Sequence, residues 1–136
     1  MPSPNLDQAR ESVRQVHEQI QHIFTTPGPA GHATIAALMP VFADDFSMVT
    51  TAGRLVTRAQ VEQLFSGGQG ARPGLEIRVS ELQGVWQTGD SVAVRYKEVH
   101  RLAGVQTARL ALAILTVTSA GVRWQALHET AIAANP

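Results

Sequence analysis

The sequence predicts an α+β domain in which helices pack on one face of a mainly antiparallel sheet. Three observations lead there. The first 43 residues carry helical apolar periodicity broken by Pro and Gly. Residues 42–65, FADDFSMVTTAGRLVTRAQVEQLF, read as a tiny hairpin running into a capped helix. From Leu75 onward four β-prone runs follow, separated by short Gly-containing turns.

Ser3 and Pro4 make a good helix start, Ser as N-cap and Pro at the first helical position. Leu6, Ala9, Val13, Val16, Ile20 and Ile23 then recur at steps of three and four, one apolar stripe along a long helix. His17 and His22 stand five apart and do not share a face as a metal pair at i, i+4 would. Both read as surface or stripe-edge histidines. Thr25-Thr26-Pro27-Gly28-Pro29 ends the helix. A second helix is expected over 31–43, with Ile35, Leu38, Met39 and Phe42 inward and Pro40 kinking it or stopping it early.

Asp44 and Asp45 follow, and acidic residues at such a junction more often bond local backbone than act as a catalytic pair. Residues 46–50 form a short strand, 51–54 a turn, and Leu55-Val56 a brief return. Thr57 and Gln60 stand at capping-box spacing, and Val56 and Val61 where a hydrophobic staple sits. The loop Ser66-Gly67-Gly68-Gln69-Gly70 follows a helix and precedes a strand, the reverse of a phosphate-cradling order. The strands are expected over 75–87, 91–102, 106–118 and 122–133, joined as hairpins.

Composition narrows the classes. At 136 residues, 44% hydrophobic and 16% charged, the chain reads as one globular domain over 1–136. Eleven basic against eleven acidic residues leave no basic surplus for nucleic acid. The absence of cysteine excludes disulfides and thiolate chemistry. No secretory pattern or membrane-length apolar run is present, so a cytoplasmic protein is expected.

Residues 108–115 are apolar on both alternating faces, as in a strand covered on both sides. Three short helices cover one face only, and a second copy packing sheet to sheet would cover the other. Arg95, Lys97, Arg123 and Glu129 would make that interface partly polar. With Ala103-Gly104 as a turn, Glu98 falls opposite Arg109 and His100 opposite Thr107. With Ala120-Gly121 as the next turn, Ala113 falls opposite His128 and Val117 opposite Trp124. One face then collects Tyr96, Glu98, His100, Arg109, Trp124, His128 and Thr130 around small alanines, a set that suits a ligand pocket of roughly 300 Å³ or more. A bulge or a one-residue slip would invert part of that set.

The order of acidic pair, aromatic, short strand, Gly turn, second strand and Thr-Arg-Ala helix start resembles the DUF4440 and SnoaL-like branch of the NTF2-like superfamily. The closing Trp124-Gln125-Ala126-Leu127-His128-Glu129-Thr130 is similar to the Trp, aliphatic, His ending of many NTF2-like proteins. The resemblance covers nearly the whole chain. It implies a cystatin/NTF2-like cone, with three N-terminal helices packed in a strongly curved sheet around a deep pocket, and homodimers through the sheet face. It implies no cofactor, and either acid–base lyase, isomerase or cyclase chemistry or non-catalytic binding or association. Asp45 would lie near the pocket mouth.

The catalytic candidates are Glu98 or His128 as base, with Tyr96 or His100 as hydrogen-bond donor. His100, Arg109, Trp124, Asp45 and Thr130 complete the expected binding set. Arg109 opposite Glu98 would lower a carboxyl pKa that burial raises, so the pair reads as a structural or carboxylate-binding clamp. With one tyrosine and no clear Asp on the central strands, a ketosteroid-isomerase-like mechanism is disfavoured. No metal site is expected, because His100 and His128 lack a third ligand.

Overall fold

The computed structural model describes residues 4–134. Its order is α1 (Pro4–Thr25), α2 (Pro29–Leu38), β1 (Phe42–Val49), β2 (Leu55–Thr57), α3 (Arg58–Gly68), β3 (Glu76–Thr88), β4 (Ser91–Leu102), β5 (Val105–Thr118) and β6 (Gly121–Ile132). The Ser3 cap lies outside the described residues.

The α1 stripe folds as its period requires. Ala9, Val13, Val16 and Ile23 are buried, and the helix packs on β3, β4, β5 and α2. Pro40 explains why α2 is shorter than 31–43: the helix stops at Leu38, a single 3₁₀ turn spans Met39–Val41, and the chain enters β1 at Phe42. Asp44 and Asp45 therefore lie within a strand rather than at a junction, and both are exposed. At α3 the Thr57 side chain accepts from the Gln60 backbone N–H, and the Gln60 side chain accepts from the Thr57 N–H at 2.8 Å, a complete capping box. Ser66 to Gly68 belong to the end of α3, where Gly68 lets the ring of Phe24 come close.

The six strands form one sheet in the order β2-β1-β6-β5-β4-β3. Every neighbouring pair is antiparallel except β1 with β6, which run parallel. This is an α+β fold with three helices and a mostly antiparallel sheet. One continuous core joins α1, α2, α3 and the inner face of the sheet, with Trp124, Tyr96 and Phe46 its largest fully buried side chains. No helix among the described residues is long and apolar enough to cross a membrane.

The register decides which residues face that core. The β4–β5 pairing runs as the turn at Ala103-Gly104 requires, with Glu98 opposite Arg109 and His100 opposite Thr107. The β5–β6 pairing departs from expectation twice. Thr118 pairs with Gly121, so the turn residues are Ser119 and Ala120, and Trp124 falls opposite Leu115 rather than Val117. That two-residue change keeps Trp124 on the inner face. A register shift then intervenes, because Leu115 pairs with Trp124 while Ile114 pairs with Ala126. Gln125 is the extra residue, and every β6 side chain beyond it changes face. Leu127 and Glu129 turn inward, while His128 and Thr130 turn outward.

Candidate active site and ligand cavity

Between α1, α3 and the inner sheet face lies a cavity of about 240 Å³. Its walls are mainly apolar, with Phe24, Phe42, Phe46, Phe65, Trp124 and Leu127 among the lining residues. Thr50, Thr51 and Leu64 also line it, and Leu64 is 57% exposed. The volume lies below the ~300–1,000 Å³ of pockets for drug-sized ligands, so an occupant must be small.

The ionisable side chains of this cavity are five: His17 from α1, Glu98 and His100 from β4, Arg109 from β5 and Glu129 from β6. Strand periodicity puts Tyr96, Glu98 and His100 on the same face, two residues apart each time. His17 arrives from the opposite layer. Its Nε2 is 3.0 Å from Oε1 of Glu98, and its Nδ1 is 2.7 Å from the Val13 carbonyl one helical turn earlier. Both partners are acceptors, so the ring donates from both nitrogens and is an imidazolium against a carboxylate. His100 Nε2 meets the other Glu98 oxygen. The carboxylate of Glu98 is thus held on both sides.

Burial pushes the Glu98 carboxyl up, yet hydrogen bonds from His100 and His17 and the positive charges of His17 and Arg109 outweigh it. The result lies below the ordinary carboxylate range. Burial pulls the His17 imidazole down, but the bond and charge of Glu98 and the Val13 carbonyl turn the balance, and its pKa is raised. Glu129 moves the other way. Burial raises its carboxyl, the charge of Glu98 raises it further, and Arg109 only partly offsets both. Arg109 reaches Glu129 by one nitrogen, NH1, at 3.4 Å from each carboxylate oxygen. Those contacts lie beyond the usual N–H···O range, so neither group is saturated.

The expected clamp between Glu98 and Arg109 does not form. The two are opposite in register, but Arg109 bonds Glu129 and Glu98 bonds the histidines. Tyr96 is fully buried among the core residues and does not line the cavity. Its ring stands edge-on to His17 at 5.3 Å, and its hydroxyl has no hydrogen-bond partner among the described residues. Burial raises the phenol's pKa well above its ordinary value, reinforced by the nearby charges of Glu98 and Glu129. Trp124 lines the cavity and donates its indole N–H to Ser12 Oγ at 3.0 Å.

Glu98, His100, Arg109 and Trp124 are therefore brought together, and Asp45, His128 and Thr130 are not. Asp45 is exposed on β1 away from the cavity lining. His128 and Thr130 lie on the outer face because of the Gln125 bulge, and His128 borders an open depression with Leu112 and Ile114. Two residues of the cluster were missed. His17, read as a surface or edge histidine, is 4% exposed. Its spacing carried the signal, since it falls four after Val13 and three before Ile20, within the apolar stripe. Glu129, expected on the outer face, is inner through a bulge that no local motif announces. Among the described residues no three or more His, Asp or Glu side chains are grouped to hold a metal ion.

No protein-family model matches the chain, and no curated protein matches it. Solved structures do. An NTF2-like protein of unknown function from Pseudomonas aeruginosa is 28% identical, with a TM-score of 0.86 over 93% of this chain and 99% of that one. A Streptomyces avermitilis protein provisionally called a dehydratase of the NTF2-like family is 14% identical, at 0.77 over 98% of this chain and 100% of that one. An NTF2-like protein with a cystatin-like fold from Novosphingobium aromaticivorans is 14% identical, at 0.71 over 95% and 82%. The fold of this chain is the NTF2-like, cystatin-like one.

Proposed function

We propose that this protein is a small-molecule binder of the NTF2-like type, in the DUF4440 and SnoaL-like branch, acting as one domain in the cytoplasm. Its ligand is modest in size and largely apolar, with one hydrogen-bonding group. The observation that carries this reading is the two-ended cavity. Aromatic and aliphatic side chains line about 240 Å³, and five ionisable side chains gather on its sheet and α1 sides. A core built for stability alone would fill that volume, since buried space without atoms forfeits packing energy. Trp124 offers the test, because it lines the cavity while the other tryptophan, Trp86, is 54% exposed. In a Trp86→Phe background, benzyl alcohol should change Trp124 fluorescence saturably, and Val61→Phe, which fills the cavity, should abolish the change. A linear, non-saturating response in both proteins would overturn the reading.

Glu129 favours a second reading, acid–base catalysis of the lyase or isomerase type. A carboxyl raised by burial, facing an apolar cavity and weakly paired, has the character of a general base. Glu98, saturated by two histidines and held low, does not. In this reading Glu129 takes the role that sequence reasoning gave to His128 and Glu98.

The outer sheet face fits a homodimer seam. Leu110 is 41% exposed there, beside half-buried Leu112 and Ile114. With Glu129 turned inward, the four charged residues expected on that face are reduced to Arg95, Lys97 and Arg123, all basic.

A further inference from the structure

The buried cluster is charge-balanced before any ligand enters. His17 and Arg109 contribute two positive charges, and Glu98 and Glu129 two negative ones. His100 needs only its neutral Nε2–H form to donate to Glu98. The hydrogen-bonding capacity is unevenly spent. His17 uses both ring nitrogens and Glu98 both oxygens. Arg109 uses one nitrogen, and its other N–H groups have no partner among the described residues. Glu129 accepts only the two long contacts from that nitrogen.

A ligand is therefore offered a donor and an acceptor side by side, with no net charge behind them. A carboxylate could use the open N–H groups of Arg109 but not Glu129, which offers it a like charge instead of a donor. Its charge would leave the pocket one unit negative where burial makes an uncompensated charge costly. The raised Glu129 carboxyl reflects its burial and then the charge of Glu98 beside it. A carboxamide uses both groups, its carbonyl accepting from Arg109 and its N–H donating to Glu129.

We propose that Glu129 makes the pocket select neutral ligands carrying both an acceptor and a donor, primary amides being the simplest, over carboxylates of the same shape. It does so by setting its own negative charge beside the guanidinium that a ligand carboxylate would take. The inference rests on the pocket reading and deepens it. Glu129 is here a specificity determinant, distinct from the resemblance-based expectation that Arg109 receives a ligand carboxylate.

Benzamide and benzoate have the same planar skeleton and differ in charge. Calorimetric titration of each into the wild-type protein at pH 6.5, where His17 is still charged, should give benzamide an advantage of about ten-fold or more in Kd. Glu129→Gln removes the competing charge, and benzoate should then bind more tightly than benzamide. Benzoate binding the wild type as well as benzamide, or an unchanged order in Glu129→Gln, would overturn the inference and leave the pocket reading intact. Absence of saturable binding of either compound to both proteins would overturn the two together. The wild-type ratio decides the matter alone if Glu129→Gln does not fold.

Discussion

His17 on α1 and Glu98 on β4, 81 positions apart in the chain, meet at 3.0 Å as a buried ion pair that joins helix to sheet beside the cavity. Each side chain is 5% exposed. Such a pair contributes little net stability compared with a well-packed apolar one, but removing one partner strands the other charge away from water. His17→Ala and Glu98→Ala should each lower the unfolding free energy by ~3–5 kcal/mol. The double variant should cost clearly less than the sum, measured by urea denaturation as a double-mutant cycle. Strict additivity would mean the pair is not coupled.

The same pair sets a pH window. Glu98 has a folded pKa below its ordinary 4.5, so its contribution is full above 4.5 and fades as pH falls toward the folded value. His17 has a folded pKa above 6.5, so its contribution is full below 6.5 and is lost as pH rises through the folded value. The stability difference between wild type and His17→Phe should therefore be largest from about pH 5 to 6.5 and shrink on either side. Glu129 titrates in both proteins, and its raised pKa lowers stability as pH rises above 4.5 in each. Its effect largely cancels in the difference. A difference that does not change with pH would contradict the charged state assigned to the pair.

Tyr96 gives an opposite expectation. Its hydroxyl is buried without a described partner, which costs ~1–3 kcal/mol relative to a satisfied group. Tyr96→Phe should leave the melting temperature unchanged or raised, and should leave ligand affinity unchanged because Tyr96 does not line the cavity. A large loss in either would show that the hydroxyl has a partner that matters.

Much of the fold was legible because it rests on local chemistry. The α1 stripe, the Thr57 capping box and the Gly-containing turns each act over a few residues, and Pro40 marked where α2 stops. Four long strands were readable nearly to the residue for that reason. The β4–β5 face followed as well, since a two-residue turn and strict alternation fix its pairing. The β6 end was not legible. The bulge at Gln125 falls beside Trp124 and coincides with a shift in the parallel pairing with β1, a non-local setting that no local motif announces, and one inserted residue exchanged His128 for Glu129 in the cavity. His17 was misread for another reason. Five positions from His22 it shares no metal-binding helix face, and its place in the apolar stripe is the better guide to its burial.

That exchange is directly testable. His128→Ala should change stability by no more than ~0.5 kcal/mol, as an exposed substitution does, and should leave benzamide binding intact. Glu129→Ala should weaken it. Calorimetry with the two variants side by side would reveal a reversed assignment at once.

Gly31, in the first turns of α2, is fixed by space. A Cβ there would run into the Thr26 carbonyl oxygen and the Gln69 side chain. The carbonyl belongs to backbone and cannot swing away, so Gly31→Ala should destabilise by ~1–3 kcal/mol despite its better helix propensity. A thermal melt equal to wild type would show that the junction of α1 and α2 yields more easily than its packing indicates.

The central claim is that the cavity between α1, α3 and the sheet takes a small ligand. The most direct measurement is a two-dimensional ¹H–¹⁵N titration with benzamide on the assigned wild-type protein. The account predicts saturable shifts at residues around the cavity, including His17, Phe46, Val61, Glu98 and Glu129. Saturable shifts confined to the outer face, around Leu110, Leu112 and His128, or none at all, would contradict it.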